Sequence, residues 1–101
     1  MPSTKNSLVP IHPGEILLEE FLRPNGINPH RLSLALRVPQ NRISQIIDGR
    51  RAITADTALR LGRYFGIDAE FWLRLQASYD IRIARMQHQV EIDRDVQPLE
   101  T

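Results

Sequence analysis

Between Asn28 and Gly49 the sequence NPHRLSLALRVPQNRISQIIDG holds two helix-length stretches separated by only three residues. Asn28 suits an N-cap, and Pro29 suits the first helical position, where no N–H is needed. Leu32, Ala35 and Leu36 then fall on one face. Arg37-Val38-Pro39 forms a tight break, because proline disfavours helical geometry in the residue before it. The second helix is predicted from about Gln40 to Ile47, with Ile43, Ile46 and Ile47 facing inward and Gly49 as its stop. Two short helices joined in this way are a helix-turn-helix.

The rest of the chain follows the same helical grammar. A first helix is predicted from Pro13 to about Arg23, with Glu15 in the dipole-favoured first turn, an apolar face of Ile16, Leu17 and Phe21, and Pro24-Asn25-Gly26 as its end. Thr54 is the expected cap of a fourth helix, which carries Asp56 in its first turn and Ala58, Leu61 and Phe65 on one face; Gly66 closes it. Asp68 is the expected cap of a fifth helix that continues to about Met86 or beyond. Sustained apolar–polar alternation is absent, so no strand is predicted. The expected fold is all-α: five helices, the last one extended. Residues 1–11 are expected to be a flexible lead-in, 12–87 the folded domain and 88–101 an acidic tail.

A chain of 101 residues makes one small domain rather than a two-domain enzyme. It has no cysteine, which excludes disulfides, thiolate metal sites and a cysteine nucleophile. The N-terminus has no apolar run of the signal-peptide kind, and no stretch reaches the length of a membrane helix, so a cytoplasmic protein with no membrane partner is expected. The only constellation worth testing for catalysis or metal binding is His12 with Glu15 and Glu19. A histidine just before a helix is more often a cap, and first-turn acids serve the helix dipole. His30 and His88 have no paired ligands. Metalloprotease and phosphate-loop motifs are missing, as is a serine in a nucleophile context. The sequence predicts no catalytic residue, no metal and no cofactor: the chain is not an enzyme.

The formal net charge is only +1, but it is unevenly spread. Between residues 23 and 63, Arg23, Arg31, Arg37, Arg42, Arg50, Arg51, Arg60 and Arg63 oppose only Asp48 and Asp56, a balance of +6. Over 88–101, Arg94 opposes Glu91, Asp93, Asp95 and Glu100, a balance of −3. A basic middle between acidic ends points to a polyanionic partner. Gln40, Asn41 and Arg42 open the second helix of the pair, the position from which side chains meet base edges in a major groove. Glutamine and asparagine pair bidentately with adenine, and arginine with guanine. Ser44 and Gln45 follow one turn later. Arg50 and Arg51, beyond the helix, are placed to grip phosphates; Arg31 and Arg37 complete the candidate DNA-binding set.

The runs HPGEILLEEFL (12–22), NPHRLSLALRVPQNRISQIIDGRR (28–51) and ITADTALRLGRYFGIDAEFWLRLQASYDIRIA (53–84) resemble the HigA-type antitoxins, members of the lambda-repressor-like (XRE) helix-turn-helix proteins. The resemblance implies a lambda-repressor-like fold and a type II toxin–antitoxin component. Such a protein neutralises a HigB-like, RelE-related ribonuclease toxin and, as a homodimer on operator double-stranded DNA, represses its own operon. Arg37 departs from the pattern, which has a glycine there. A left-handed Arg37 would cost about 1–2 kcal/mol. Pro39 stands in place of the usual serine or threonine cap, whose loss is worth roughly 1 kcal/mol. Arg37 is alternatively a phosphate contact.

Along the fifth helix Trp72, Leu75, Tyr79, Ile83, Met86 and Val90 recur at helical spacing. Phe71, Trp72 and Leu75 are most simply core, while Leu75, Tyr79, Ile83 and Met86 form a candidate dimer interface. The acidic tail either shields a basic toxin surface or merely keeps the chain soluble, and the N-terminal segment with the first helix is an equal candidate for toxin contact. Two other functions stay open: a stand-alone helix-turn-helix repressor with no toxin partner, and a toxin-masking module that has lost DNA binding.

Overall fold

The computed structural model describes residues 9–100. Of the lead-in expected over 1–11, residues 1–8 lie outside the described residues, as does Thr101 of the expected tail. The first helix, α1, opens with a cap from an imidazole. His12 Nδ1 accepts from Gly14 N at 2.8 Å, and Pro13 fills the first helical position. Only Pro13–Ile16 is α-helical; Leu17–Leu22 winds as a π-helix, closed by Arg23 N donating to Leu18 O at 3.0 Å. The sequence predicts an ordinary helix here. The wider turn pairs backbone groups five apart and swings residues five apart toward one side. Leu17 and Leu22 thereby enter the core together, both fully buried.

Helix α2 (Pro29–Leu36) is capped as predicted, Asn28 Oδ1 accepting from Arg31 N at 2.7 Å. Helix α3 (Gln40–Ile47) follows directly. Helix α4 (Ala55–Phe65) starts at Thr54, whose hydroxyl accepts from Thr57 N at 3.5 Å, and stops at left-handed Gly66. Helix α5 (Ala69–Asp95) runs for 27 residues. Its expected Asp68 cap is not made by the side chain; the Asp68 carbonyl accepts from Phe71 N instead, at 3.0 Å. Helix α5 continues through most of the stretch expected as a tail, and residues 96–100 follow it without regular structure. Among the described residues there is no strand, and no helix is long and apolar enough to cross a membrane.

Trp72 is the largest fully buried side chain, packed against Phe21 with ring centroids 4.8 Å apart and Phe71 at 5.0 Å. Leu17, Leu22, Leu32, Ile43, Ile46 and Leu61 surround this centre. Gln76 is a buried polar tie. Its Oε1 accepts from Ile53 N at 2.8 Å and its Nε2 donates to Asp80 Oδ1 at 3.0 Å, fixing the α3–α4 connection to α5. Gly14 lies so close to α3 that a Cβ there would stand 1.7 Å from the Ile46 carbonyl oxygen. Only glycine permits that approach of α1 to α3.

His12 joins three parts of the fold. Beyond capping α1, its ring meets Tyr79 of α5 edge-on at 4.8 Å and lies over Gly49 at the end of α3. Because Nδ1 accepts a backbone N–H, the neutral ring carries its proton on Nε2. Burial holds its pKa below the ordinary 6.5, with Asp80 pulling the other way. In the window just below 6.5 the unfolded chain therefore binds more protons than the folded one, so stability is full above that pH and falls as the pH drops toward the folded value. Urea unfolding at pH 7.5 and 5.5 is expected to show this loss in the parent protein and a smaller one in His12→Ala. The variant starts about 1 kcal/mol less stable at pH 7.5 for want of the cap. Equal losses in both proteins would remove His12 as the cause.

Candidate nucleic-acid interface

Helix α3 is fastened by its inner face and open on its outer one. Ile43 and Ile46 are fully buried, with Val38 and Ile47 packed partly against the same core. On the other side Gln40 and Asn41 are exposed, and Arg42, Ser44 and Gln45 half-buried. Among the described residues the side chains of Asn41 and Gln45 make no hydrogen bond within the protein, leaving their donors and acceptors available. Ser44 Oγ donates loosely back to Gln40 O at 3.3 Å. Gln40 Oε1 lies 2.9 Å from His30 Nδ1 on α2, which brings the starts of the two helices side by side. Nothing local in the sequence marks this pair, since the two residues stand ten apart.

The turn between α2 and α3 accounts for both departures noted in the sequence. Arg37 is left-handed, at φ 61° and ψ 47°, the only such non-glycine among the described residues. Its N–H donates to Leu34 O at 3.2 Å and Val38 N donates to Ser33 O at 3.1 Å, so α2 ends in a Schellman motif with arginine in the glycine place. The exposed guanidinium makes no bond within the described protein. Pro39 precedes α3 with extended geometry and no side-chain cap; its carbonyl accepts from Arg42 N at 3.1 Å. The first N–H groups of α3 are left without a side-chain acceptor.

Arg42 departs from the outward pose expected of a base reader. Its Nη1 donates to Asp56 Oδ2 at 2.7 Å, so one edge of the guanidinium is turned to the first turn of α4. The same oxygen accepts from Arg60 Nε at 2.9 Å, and Arg60 Nη1 donates to Leu36 O at 2.9 Å. Those arginines hold the Asp56 carboxyl below the usual carboxylate range, Arg60 first and Arg42 second. The sequence reading treated Asp56 only as a first-turn acid. Of the expected phosphate contacts, Arg31 and Arg51 are exposed with no partner among the described residues, and Arg50 pairs with Asp48 at 3.1 Å. The expected dimer residues divide. Leu75 packs against the core and Tyr79 is engaged by His12, so neither is a free surface group. Ile83 is half-buried, and Met86 is 65% exposed.

A short helix laid across another, with an open polar face over buried isoleucines, defines the helix-turn-helix class, and the model of the helix-turn-helix family matches residues 18–72. The chain is 52% identical to virulence-associated protein I of Dichelobacter nodosus, over 88% of this chain and 82% of that protein. It is 38% identical to antitoxin HigA-1 of Vibrio cholerae, over 81% of this chain and 77% of that one. The Pseudomonas aeruginosa antitoxin HigA, solved with the higBA promoter, superposes with a TM-score of 0.88 at 43% identity, covering 90% of this chain and 99% of that one. The protein belongs to the HigA antitoxin family.

Left-handed Arg37 carries backbone strain that a glycine would not. Replacing it with glycine relieves about 1–2 kcal/mol of backbone strain and gives back about 1 kcal/mol as extra unfolded-state entropy. Arg37→Gly is therefore expected to be as stable as the parent or up to about 1 kcal/mol more so in urea unfolding, while binding DNA more weakly through the lost charge. A variant less stable than the parent would mean that the arginine side chain itself holds the turn.

Proposed function

We propose that this protein is the antitoxin of a type II toxin–antitoxin module. As a homodimer it binds operator double-stranded DNA and represses its own operon, and it neutralises a HigB-like ribonuclease toxin. The observation that carries the DNA half is the open face of α3: Gln40, Asn41, Ser44 and Gln45, with Arg42 beside them, stand over fixed isoleucines along one side of the helix. These side chains match base edges in chemistry, while Arg31, Arg37, Arg50 and Arg51 supply sequence-independent contacts to phosphate. The likeness to a HigA solved with promoter DNA supports the same mode of binding. The toxin half rests on family membership. The work falls in the cytoplasm, where operator and toxin are both met, and no residue is given a catalytic role.

Dimerisation uses the far part of α5. Ile83, Met86 and Val90 continue the face that buries Trp72 and Gln76, but beyond the bundle Met86 is 65% and Val90 81% exposed. Pairing two copies along this stripe buries them and spaces two recognition helices for half-sites one helical turn, about 34–36 Å, apart.

A gel shift on the DNA upstream of the protein's own gene, with and without the neighbouring gene product and across a range of salt, tests the proposal. Asn41→Ala is expected to cost about 1–3 kcal/mol on that DNA and little on random sequence. Arg51→Ala is expected to weaken both and to flatten the salt dependence by about one charge. Equal weakening of both DNAs by Asn41→Ala would end its assignment as a base reader. Met86→Asp changes an exposed residue and is expected to sediment as a folded monomer in ultracentrifugation; a persistent dimer would place the seam elsewhere.

A further inference from the structure

Arg60 is anchored twice, by its Nη1 on Leu36 O at 2.9 Å and its Nε on Asp56 Oδ2 at 2.9 Å. Asp56 is thereby tied to the end of α2 as well as to its own helix. The same carboxylate oxygen takes Arg42 Nη1 at 2.7 Å, so a continuous chain of bonds runs from α2 through α4 into the first turn of α3. Arg42 spends one of its five N–H donors on this bond and keeps the others. The pair is not sealed in the core, with the Arg42 side chain 27% and Asp56 55% exposed. An ion pair in that setting contributes little to folding. Its effect on the guanidinium is larger, because a free arginine has much rotamer freedom to lose when it binds.

We propose that Asp56 is a positioning residue for DNA specificity: anchored through Arg60, it fixes the guanidinium of Arg42 in one orientation from which the remaining donors meet a single base step. The inference rests on the operator-binding reading and extends it to a residue outside the helix-turn-helix pair. A held arginine reaches one acceptor set, whereas a released one also sweeps to neighbouring phosphates and binds any sequence. The Asp56 charge also repels any polyanion, own or random sequence alike, so by itself it shifts both affinities and their salt dependence without altering their ratio.

The test is a double-mutant cycle on Asp56 and Arg42, read as the ratio of affinity for the gene's own upstream DNA to affinity for random DNA. Asp56→Ala is expected to lower that ratio roughly tenfold, the scale of one good base contact. It is also expected to steepen the slope of log affinity against log salt by about 0.9, because one repelling charge is gone. In an Arg42→Ala background the ratio is expected no longer to respond to Asp56→Ala, while the slope still does. An unchanged ratio in the single variant, or an equal fall in both backgrounds, overturns the inference. Asp56→Asn, nearly isosteric, replaces the alanine variant if that one does not fold. Should the parent protein itself show no preference for its upstream DNA, the operator reading fails and this inference falls with it.

Discussion

Everything presented on the outer face of α3 depends on the burial of Ile43 and Ile46. Two isoleucines removed wholly from water stabilise the fold by roughly 3–6 kcal/mol together. The Arg42–Asp56 pair, open to solvent, contributes little to stability. The magnitudes divide the labour: apolar packing holds the helix, and the ion pair aims one side chain on it. The close seat of Gly14 on the Ile46 carbonyl adds a geometric stop, since any side chain at that position would push α1 away. Through His12 the same contact reaches Tyr79 and Gly49, so the end of α3 shares its setting with the start of α1.

Local chemistry made much of this legible in the sequence. Asn28 and Thr54 cap where their type and position predict, and Gly66 ends α4 with positive φ. The isoleucine periodicity of α3 assigns its inner face correctly. What stayed hidden lies between residues far apart in the chain. Gln76 bonds to Ile53, 23 residues away, and Arg42 to Asp56, 14 away. No spacing rule announces either. Tyr79 falls on a helical stripe that continues past the core, and periodicity alone reads it as surface for a partner. Its partner is His12, from the other end of the chain. The π-helical turn in α1 escapes for a related reason: Leu17 and Leu22 fit no α-helical face together, and only the finished core shows why both are inside.

Arg37 is a different kind of case, because the sequence showed the conflict and the structure keeps it. A glycine would adopt the left-handed turn freely. Arginine pays about 1–2 kcal/mol there, against a Schellman pair of backbone bonds that any residue in this conformation would make. Strain kept where a cheaper residue exists is commonly traceable to function. The guanidinium stands exposed, with no partner among the described residues, at the tip between α2 and α3. Under the proposed binding mode, a positive charge at that place would add to the pull on a phosphate backbone without interfering with the polar face of α3.

Charge placement along α5 completes the logic. Glu91, Asp93 and Asp95 would oppose a polyanion if they stood beside the arginines of α2 and α3. From Gln76, the last wholly enclosed residue of α5, to Asp95 the helix advances about 28 Å. At physiological salt a surface charge is felt over only about 8 Å. The acidic end is thus insulated from the packed body by several screening lengths, and the net charge of +1 describes neither end. A rigid helix permits this separation where a flexible tail would fold back onto the arginines. Rigidity that far from the core needs support, because a few isolated turns of helix are marginal in water. The bond from Gln89 to Asp93, at 2.8 Å, contributes only a few tenths of a kcal/mol. The exposed apolar pair Met86 and Val90 is the larger resource: a second copy seated on that stripe, as proposed, would bury it and brace the helix that carries the acidic end.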